Sequence, residues 1–164
     1  MGIRYYAWPL HPDLVDLARS YPEAFAADDP FGDAWSTENT GNCYLDKAWP
    51  ELQCELRGSV GLGRRQRPAF SLVEGDVVMT NEGWIAHFGV LDPVQLLRAA
   101  RDLQQIPVFE PSRRPRREPA RSRRGAAMSS GWVDQDYAGH YLEVLRSFVG
   151  ALAQAKMGMI YMIG

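Results

Sequence analysis

The stretch YLEVLRSFVGALAQAKMGMIYMI, from Tyr141 to Ile163, decides the fold class. Tyr141, Leu142, Leu145, Phe148, Val149 and Leu152 stand at i, i+1, i+4, i+7, i+8 and i+11, which is one apolar stripe of an amphipathic helix. Gly158 closes that helix. Met159 to Ile163 then runs apolar without a polar interruption, as a strand does when both faces are covered at the centre of a sheet. A helix with one stripe to bury, followed at once by a central strand, calls for helices layered on a sheet.

Working outward, Ile3 to Trp8 is aromatic and β-branched and stops at Pro9, which predicts a strand. Pro12 suits the first turn of a helix that turns Leu14, Leu17 and Ala18 inward and ends at Pro22. Leu45, Trp49, Leu52 and Leu56 recur at steps of four, three and four, predicting a helix from about Tyr44 to Arg57 with Gly58 as its stop. Pro50 objects to that range, because a proline in a helix interior costs about 3 kcal/mol unless the helix begins near Trp49. Phe70 to Met79 and Trp84 to Leu91 read as two β segments joined in a hairpin by Asn81-Glu82-Gly83. Asp92, Pro93 and Gln95 make an N-terminal signature for a helix to about Gln105, with Leu96, Ala100 and Leu103 facing inward. The 164 residues, 46% of them hydrophobic, suffice for one domain. The reading is a single α+β domain over 1–164, with a small, mostly antiparallel or mixed sheet and packed amphipathic helices; strand order is not written in the pattern.

Two segments lack apolar periodicity. DDPFGDAWSTENTGN, from Asp28 to Asn42, is dense in turn formers and acids and is expected to loop with Phe31 and Trp35 tucked inward. Residues 107–130 hold prolines, an arginine run and a small-residue tail, and are expected to form a long mobile loop. Within PSRRPRREPARSRRG, from Pro111 to Gly125, seven arginines against Glu118 make +6, which leaves −8 for the rest of a chain whose formal charge is −2.

Three pieces taken together, MGIRYY at the start, YLDKAWPEL from Tyr44 to Leu52 and the closing Tyr141–Ile163 stretch, resemble the YfbM-like family of small bacterial proteins, a domain of unknown function. Leu45-Asp46-Lys47-Ala48-Trp49 is the most specific element, and the resemblance runs in order from Met1 to Gly164 with 107–130 outside it. It implies a single cytoplasmic α+β domain without an assigned activity. Many members carry histidines just after the tryptophan, where this chain has Pro50 and Gln53, so a histidine-centred site in the family would be missing here.

No motif assembles a catalytic centre. Asp46 and Lys47 are the catalytic candidates, either as part of a helix start where a carboxylate accepts backbone amides or as the lining of a pocket beside the acidic loop. Asp28, Asp29, Asp33 and Glu38 bring carboxylates together in sequence, but DDPFGD lacks the spacing of a calcium loop, and solvated turn acids are the plainer reading. His11, His87 and His140 are scattered. Cys43 and Cys54 are too few for a disulfide framework and lack zinc spacing, and no nucleophile elbow exists. Neither a metal nor a cofactor is expected. GLGRRQR, from Gly61 to Arg67, is no phosphate loop, although Arg64, Arg65 and Arg67 add to a basic surface.

Arg113, Arg114, Arg116 and Arg117 would neutralise phosphates, yet Pro111 to Gly125 contains no aromatic residue for base stacking and the body is acidic, which disfavours nucleic acid. A solvated linker, or contact with an acidic protein surface, fits better. The N-terminus shows no export signal or lipid anchor, and no apolar run of about 18 residues exists to span a membrane. Trp8, Trp35, Trp84 and Trp132 fall near loop or strand ends, as interface anchors do. The reading that emerges is a non-enzymatic cytoplasmic accessory protein that docks a protein partner. Its binding candidates are Trp35, Trp49, Asp28, Asp29, Asp33 and the four arginines. Its alternatives are a small hydrolase or transferase around Asp46 and Lys47 and the 28–38 loop, and a nucleic-acid binder acting through Arg113–Arg124.

Overall fold

The structure, a computed structural model, describes residues 3–26, 41–57, 66–107 and 135–164. Strand β1 (Tyr5–Leu10) leads through a 3-10 turn into helix α1 (Val15–Ser20). After β2 (Cys43–Asp46) come α2 (Trp49–Arg57) and a 3-10 turn over Pro68–Leu72. Three strands follow, β3 (Val78–Thr80), β4 (Gly83–Ile85) and β5 (His87–Leu91), then α3 (Pro93–Leu103), α4 (Gln135–Gln154) and β6 (Gly158–Ile163). The main sheet has the order β2-β1-β6-β5 with every pairing antiparallel, and β3 and β4 form a separate hairpin. This is an α+β domain, with β6 at the interior of the sheet as its unbroken apolar run requires.

Alternation along the strands divides the core in two. Tyr5, Ala7, Cys43, Leu45, Leu91, Met159, Tyr161 and Ile163 share one cluster with the buried faces of α2, α3 and α4. Leu10 and Ile160 belong to a smaller cluster with Val15 and Ala18 of α1. Leu142, Leu145, Val149 and Leu152 are all buried, so the periodic stripe of α4 does bury itself. Asp92 caps α3 as its sequence signature requires. The carboxylate accepts from the amides of Val94 and Gln95 at 2.9 and 2.8 Å, while the Gln95 side chain accepts from the Asp92 amide at 3.0 Å. At the other end of α3, the Arg146 guanidinium of α4 donates to the carbonyls of Leu103 and Ile106 at 3.2 and 2.9 Å, satisfying groups that a helix terminus leaves open.

Several sequence expectations are corrected. The first strand continues through Pro9 to Leu10. Arg4 and Gly164 exchange both backbone bonds at 2.9 Å, so Tyr6, Trp8 and Leu10 direct their amides at β6; the missing N–H of Pro9 falls on the other side, beyond Ala7, where pairing with β2 ends. In α1 the buried residues are Val15 and Ala18, three apart on the face that packs on Leu10 and Ile160, while Leu14 and Leu17 are exposed. Tyr44 to Asp46 is strand, and the helix begins at Trp49 with Pro50 in its first turn, where proline is tolerated. Leu45 shares the core with Leu52 and Leu56 from a strand, so its helical spacing is coincidental. The β segment read from Phe70 is a 3-10 turn opened by Pro68, and the hairpin is confined to Val78–Ile85. After Ala86 the chain joins the main sheet as β5. The 28–42 loop reading, apart from Gly41 and Asn42, and the 107–130 reading, apart from Pro107, lie outside the described residues.

Gly158 does not close α4. The helix ends at Gln154, and Lys156 just beyond it takes the left-handed conformation (φ 55°), while the Met157 amide reaches back to the Leu152 carbonyl at 3.0 Å. Gly158 instead begins β6, where a Cβ would lie 2.7 Å from the Leu91 carbonyl oxygen. A lysine in a position that favours glycine stores strain, so Lys156→Gly is expected to stabilise the fold by about 0.5 kcal/mol after the added freedom of the unfolded chain is deducted. Urea denaturation measures it, and a lowered midpoint would contradict the cap geometry.

Candidate functional site

Asp46 ends β2 in the left-handed region (φ 46°). Between Tyr5 and Tyr6 the register slips, so that Tyr5 faces Asp46 and Tyr6 faces Tyr44. This bulge and the turn aim the Asp46 carboxylate at a point where three elements converge. Its Oδ1 accepts from Arg4 Nε at 3.2 Å and from the Tyr44 hydroxyl at 2.8 Å, and its Oδ2 accepts from the Tyr137 hydroxyl of α4 at 2.7 Å. The backbone of Lys47 hydrogen-bonds the same Tyr137 hydroxyl. Each phenol partner stands in a row of rings: Tyr6 lies 5.2 Å from Tyr44 and 6.2 Å from Trp8, and Tyr141 lies 4.8 Å from Tyr137 and 5.2 Å from His140.

The electrostatics match a tie between elements. Burial pushes the Asp46 carboxyl up, but the Tyr137 and Tyr44 hydrogen bonds and the positive charges of Arg4 and Lys47 outweigh it and hold the group below its ordinary range. Burial, followed by the bond to the Asp46 carboxylate, pushes the Tyr44 and Tyr137 phenols above theirs. Near neutral pH the carboxylate stays ionised and the phenols stay donors, so the trio holds its protons in place. Asp46 does not perform the expected amide-capping role at α2, since its partners are side chains.

Two further carboxylates are similarly lowered. At Asp92 burial is outweighed by the Gln95 amide, Arg19 and the Val94 amide, and at Asp102 by Arg67 and the Ala69 amide. Arg67 grips Asp102 with Nε and Nη2 at 3.2 and 2.9 Å. A carboxyl lowered on folding binds protons less readily in the folded state than in the unfolded chain. Its stabilisation is complete above the unfolded value of about 4 and is lost as pH falls through the folded value. The urea midpoint is therefore expected to drop steadily below about pH 4. Asp46→Asn, costing about 1 kcal/mol at pH 7 through weakened hydrogen bonds, is expected to flatten that drop; an unchanged acid slope in the variant would show that Asp46 is not a source of it.

A second set of bonds fastens the segment ahead of the hairpin. Tyr5 and Tyr161 donate their hydroxyls to the carbonyls of Leu72 and Glu74 at 2.7 and 2.6 Å, and Gln53 Nε2 donates to those of Val73 and Gly75, both at 2.6 Å. After Val77, which still packs against the main core, the chain departs into the β3–β4 hairpin, which packs principally on itself. Val78 is 59% exposed, Met79 68%, Trp84 43% and Ile85 59%. These are the largest apolar side chains that any described strand leaves in solvent.

Of the residues singled out in the sequence, the structure brings Asp46 and Lys47 beside Arg4, Tyr44 and Tyr137, and Lys47 itself is exposed. Trp49, a binding candidate, is buried in the main core at 7% exposure and is corrected to a packing residue. Asp28, Asp29, Asp33, Trp35, Glu38, Arg64, Arg65, Arg113, Arg114, Arg116 and Arg117 lie outside the described residues. Burial pushes the Cys43 thiol up to about 12, far from a reactive thiolate. Sequence reading missed Arg4 and Tyr137, which stand 42 and 91 positions from Asp46 with no local pattern to link them. It also missed the exposure of Val78, Met79 and Ile85, which it read only as parts of β segments. Among the described residues, no group of three or more His, Cys, Asp or Glu is placed to hold a metal ion, and no helix is long and apolar enough to cross a membrane. Compared with protein-family models, curated proteins and solved structures, the chain matches none.

Proposed function

We propose that the chain is a non-enzymatic accessory protein of the bacterial cytoplasm that docks a protein partner, with the β3–β4 hairpin as its docking element. The observation that carries this reading is the exposure of Val78, Met79, Trp84 and Ile85 on a hairpin that buries little against its own body. A two-stranded hairpin is marginal alone, and large apolar side chains clustered in solvent are typical of an interaction surface. The resemblance to the YfbM-like family supports the cytoplasmic setting. The hydrolase or transferase alternative gains nothing from Asp46, whose two oxygens are already engaged by three side-chain donors.

The paired substitution Met79→Ser with Trp84→Ser is expected to leave the urea midpoint within about 0.5 kcal/mol of wild type, as surface changes do, and to abolish a complex that the wild-type chain forms in lysate of its host. Size-exclusion chromatography with detection of the tagged chain reads the result. A wild-type chain that elutes alone, or a folded variant that keeps the complex, would overturn the reading.

A further inference from the structure

Between Pro68 and Leu97 the chain carries Glu74, Asp76, Glu82 and Asp92 and not one lysine or arginine. Asp92 is engaged by Arg19 at 3.2 Å. Glu74 and Asp76 at the base of the hairpin and Glu82 in its turn are exposed, and none of the three forms an ion pair among the described residues. Val78 pairs with Ile85 and Met79 with Trp84. Adjacent cross-strand pairs point to opposite sides of a sheet, so both faces of the hairpin present apolar side chains.

We infer that the hairpin is a two-faced apolar wedge, collared by three carboxylates, and that its partner is a protein surface with an apolar cleft rimmed by lysine or arginine. The inference rests on the docking reading above and adds the chemistry of the partner. A second copy of this chain fits poorly, because joining hairpin to hairpin sets three carboxylates against three. A cationic rim meets those charges and steers the encounter, while the cleft covers both apolar faces.

The test uses the full chain and two fluorescent 18-residue amphipathic peptides, one of leucine and lysine and one of leucine and glutamate, titrated by anisotropy at two salt concentrations. The leucine–lysine peptide is expected to bind, at least tenfold more tightly than its acidic counterpart and more weakly at high salt. Binding is expected to fall at least tenfold in the triple variant Glu74→Lys, Asp76→Lys, Glu82→Lys, and likewise in Met79→Ser with Trp84→Ser, with circular dichroism confirming that both fold. Equal binding of the two peptides overturns the cationic partner. Loss in the serine variant without loss in the lysine variant also overturns it while leaving the hairpin as the docking element. No loss in either variant removes both readings, and a concentration-dependent dimer that the serine variant lacks replaces the cationic partner with a second copy.

Discussion

Gly89→Val is expected to destabilise the protein by about 3–5 kcal/mol, from overpacking together with the disruption of a partly buried hydrogen bond. Gly89 of β5 lies opposite Tyr161 of β6, and the Tyr161 ring leans across it. A Cβ at position 89 would sit 2.1 Å from the ring carbon that bears the hydroxyl and 2.3 Å from the hydroxyl oxygen. The ring has nowhere to go. It stacks on Tyr5 at a centroid distance of 5.3 Å, and its hydroxyl holds the Glu74 carbonyl at 2.6 Å. Displacing it would release the strap that leads into the hairpin. Urea unfolding of Gly89→Val, Tyr161→Ala and the double variant measures the coupling directly. The double variant is expected to be less destabilised than the sum of the two singles, and simple additivity would refute the steric account.

Leu145→Ala is expected to cost about 3–4 kcal/mol, the range for a large aliphatic side chain whose cavity cannot collapse. Leu145 is fully buried in the cluster that α4 shares with α3 and the sheet. The next residue, Arg146, anchors the end of α3 through two carbonyls, and Tyr137 two turns earlier reaches Asp46, so α4 is pinned on both sides of the lost side chain. That pinning prevents the helix from settling inward. Leu145→Met, which conserves volume, is expected to cost less than about 1.5 kcal/mol. A loss below about 1 kcal/mol for the alanine variant would show that the layer closes around the gap.

The elements legible in the sequence are those governed by local chemistry. The Asp92–Gln95 capping box, the α4 stripe and the apolar run of β6 each carry their signal within a few residues, and each is found as read. The misreadings arise where a longer-range term competes. Pro9 stays in β1 only because β2 has already ended on that side. Leu45 matched a helical step by chance. VMT and GWI are as apolar as core strands, and nothing within them tells that the chain leaves the body after Val77. The Asp46 trio was half legible: the motif drew attention to Asp46, but its meaning depends on Arg4 and Tyr137, which the fold delivers from distant positions.

The sheet order carries a consequence for how the molecule is made. β6 fills the place between β1 and β5, yet its residues, 158–163, are synthesised after every other described strand. A chain in which β6 has not yet paired lacks the strand between β1 and β5, whose axes stand about 10 Å apart in the folded sheet. Both bordering edges then present unpaired amides and carbonyls, and the pairing that joins them spans most of the chain, a slow closure by its topology. During that interval a free strand of matching alternation could serve as a donor. The last six-residue strand therefore acts as the keystone of the sheet, and a peptide of its sequence, added to a chain that lacks it, would compete for the same opening.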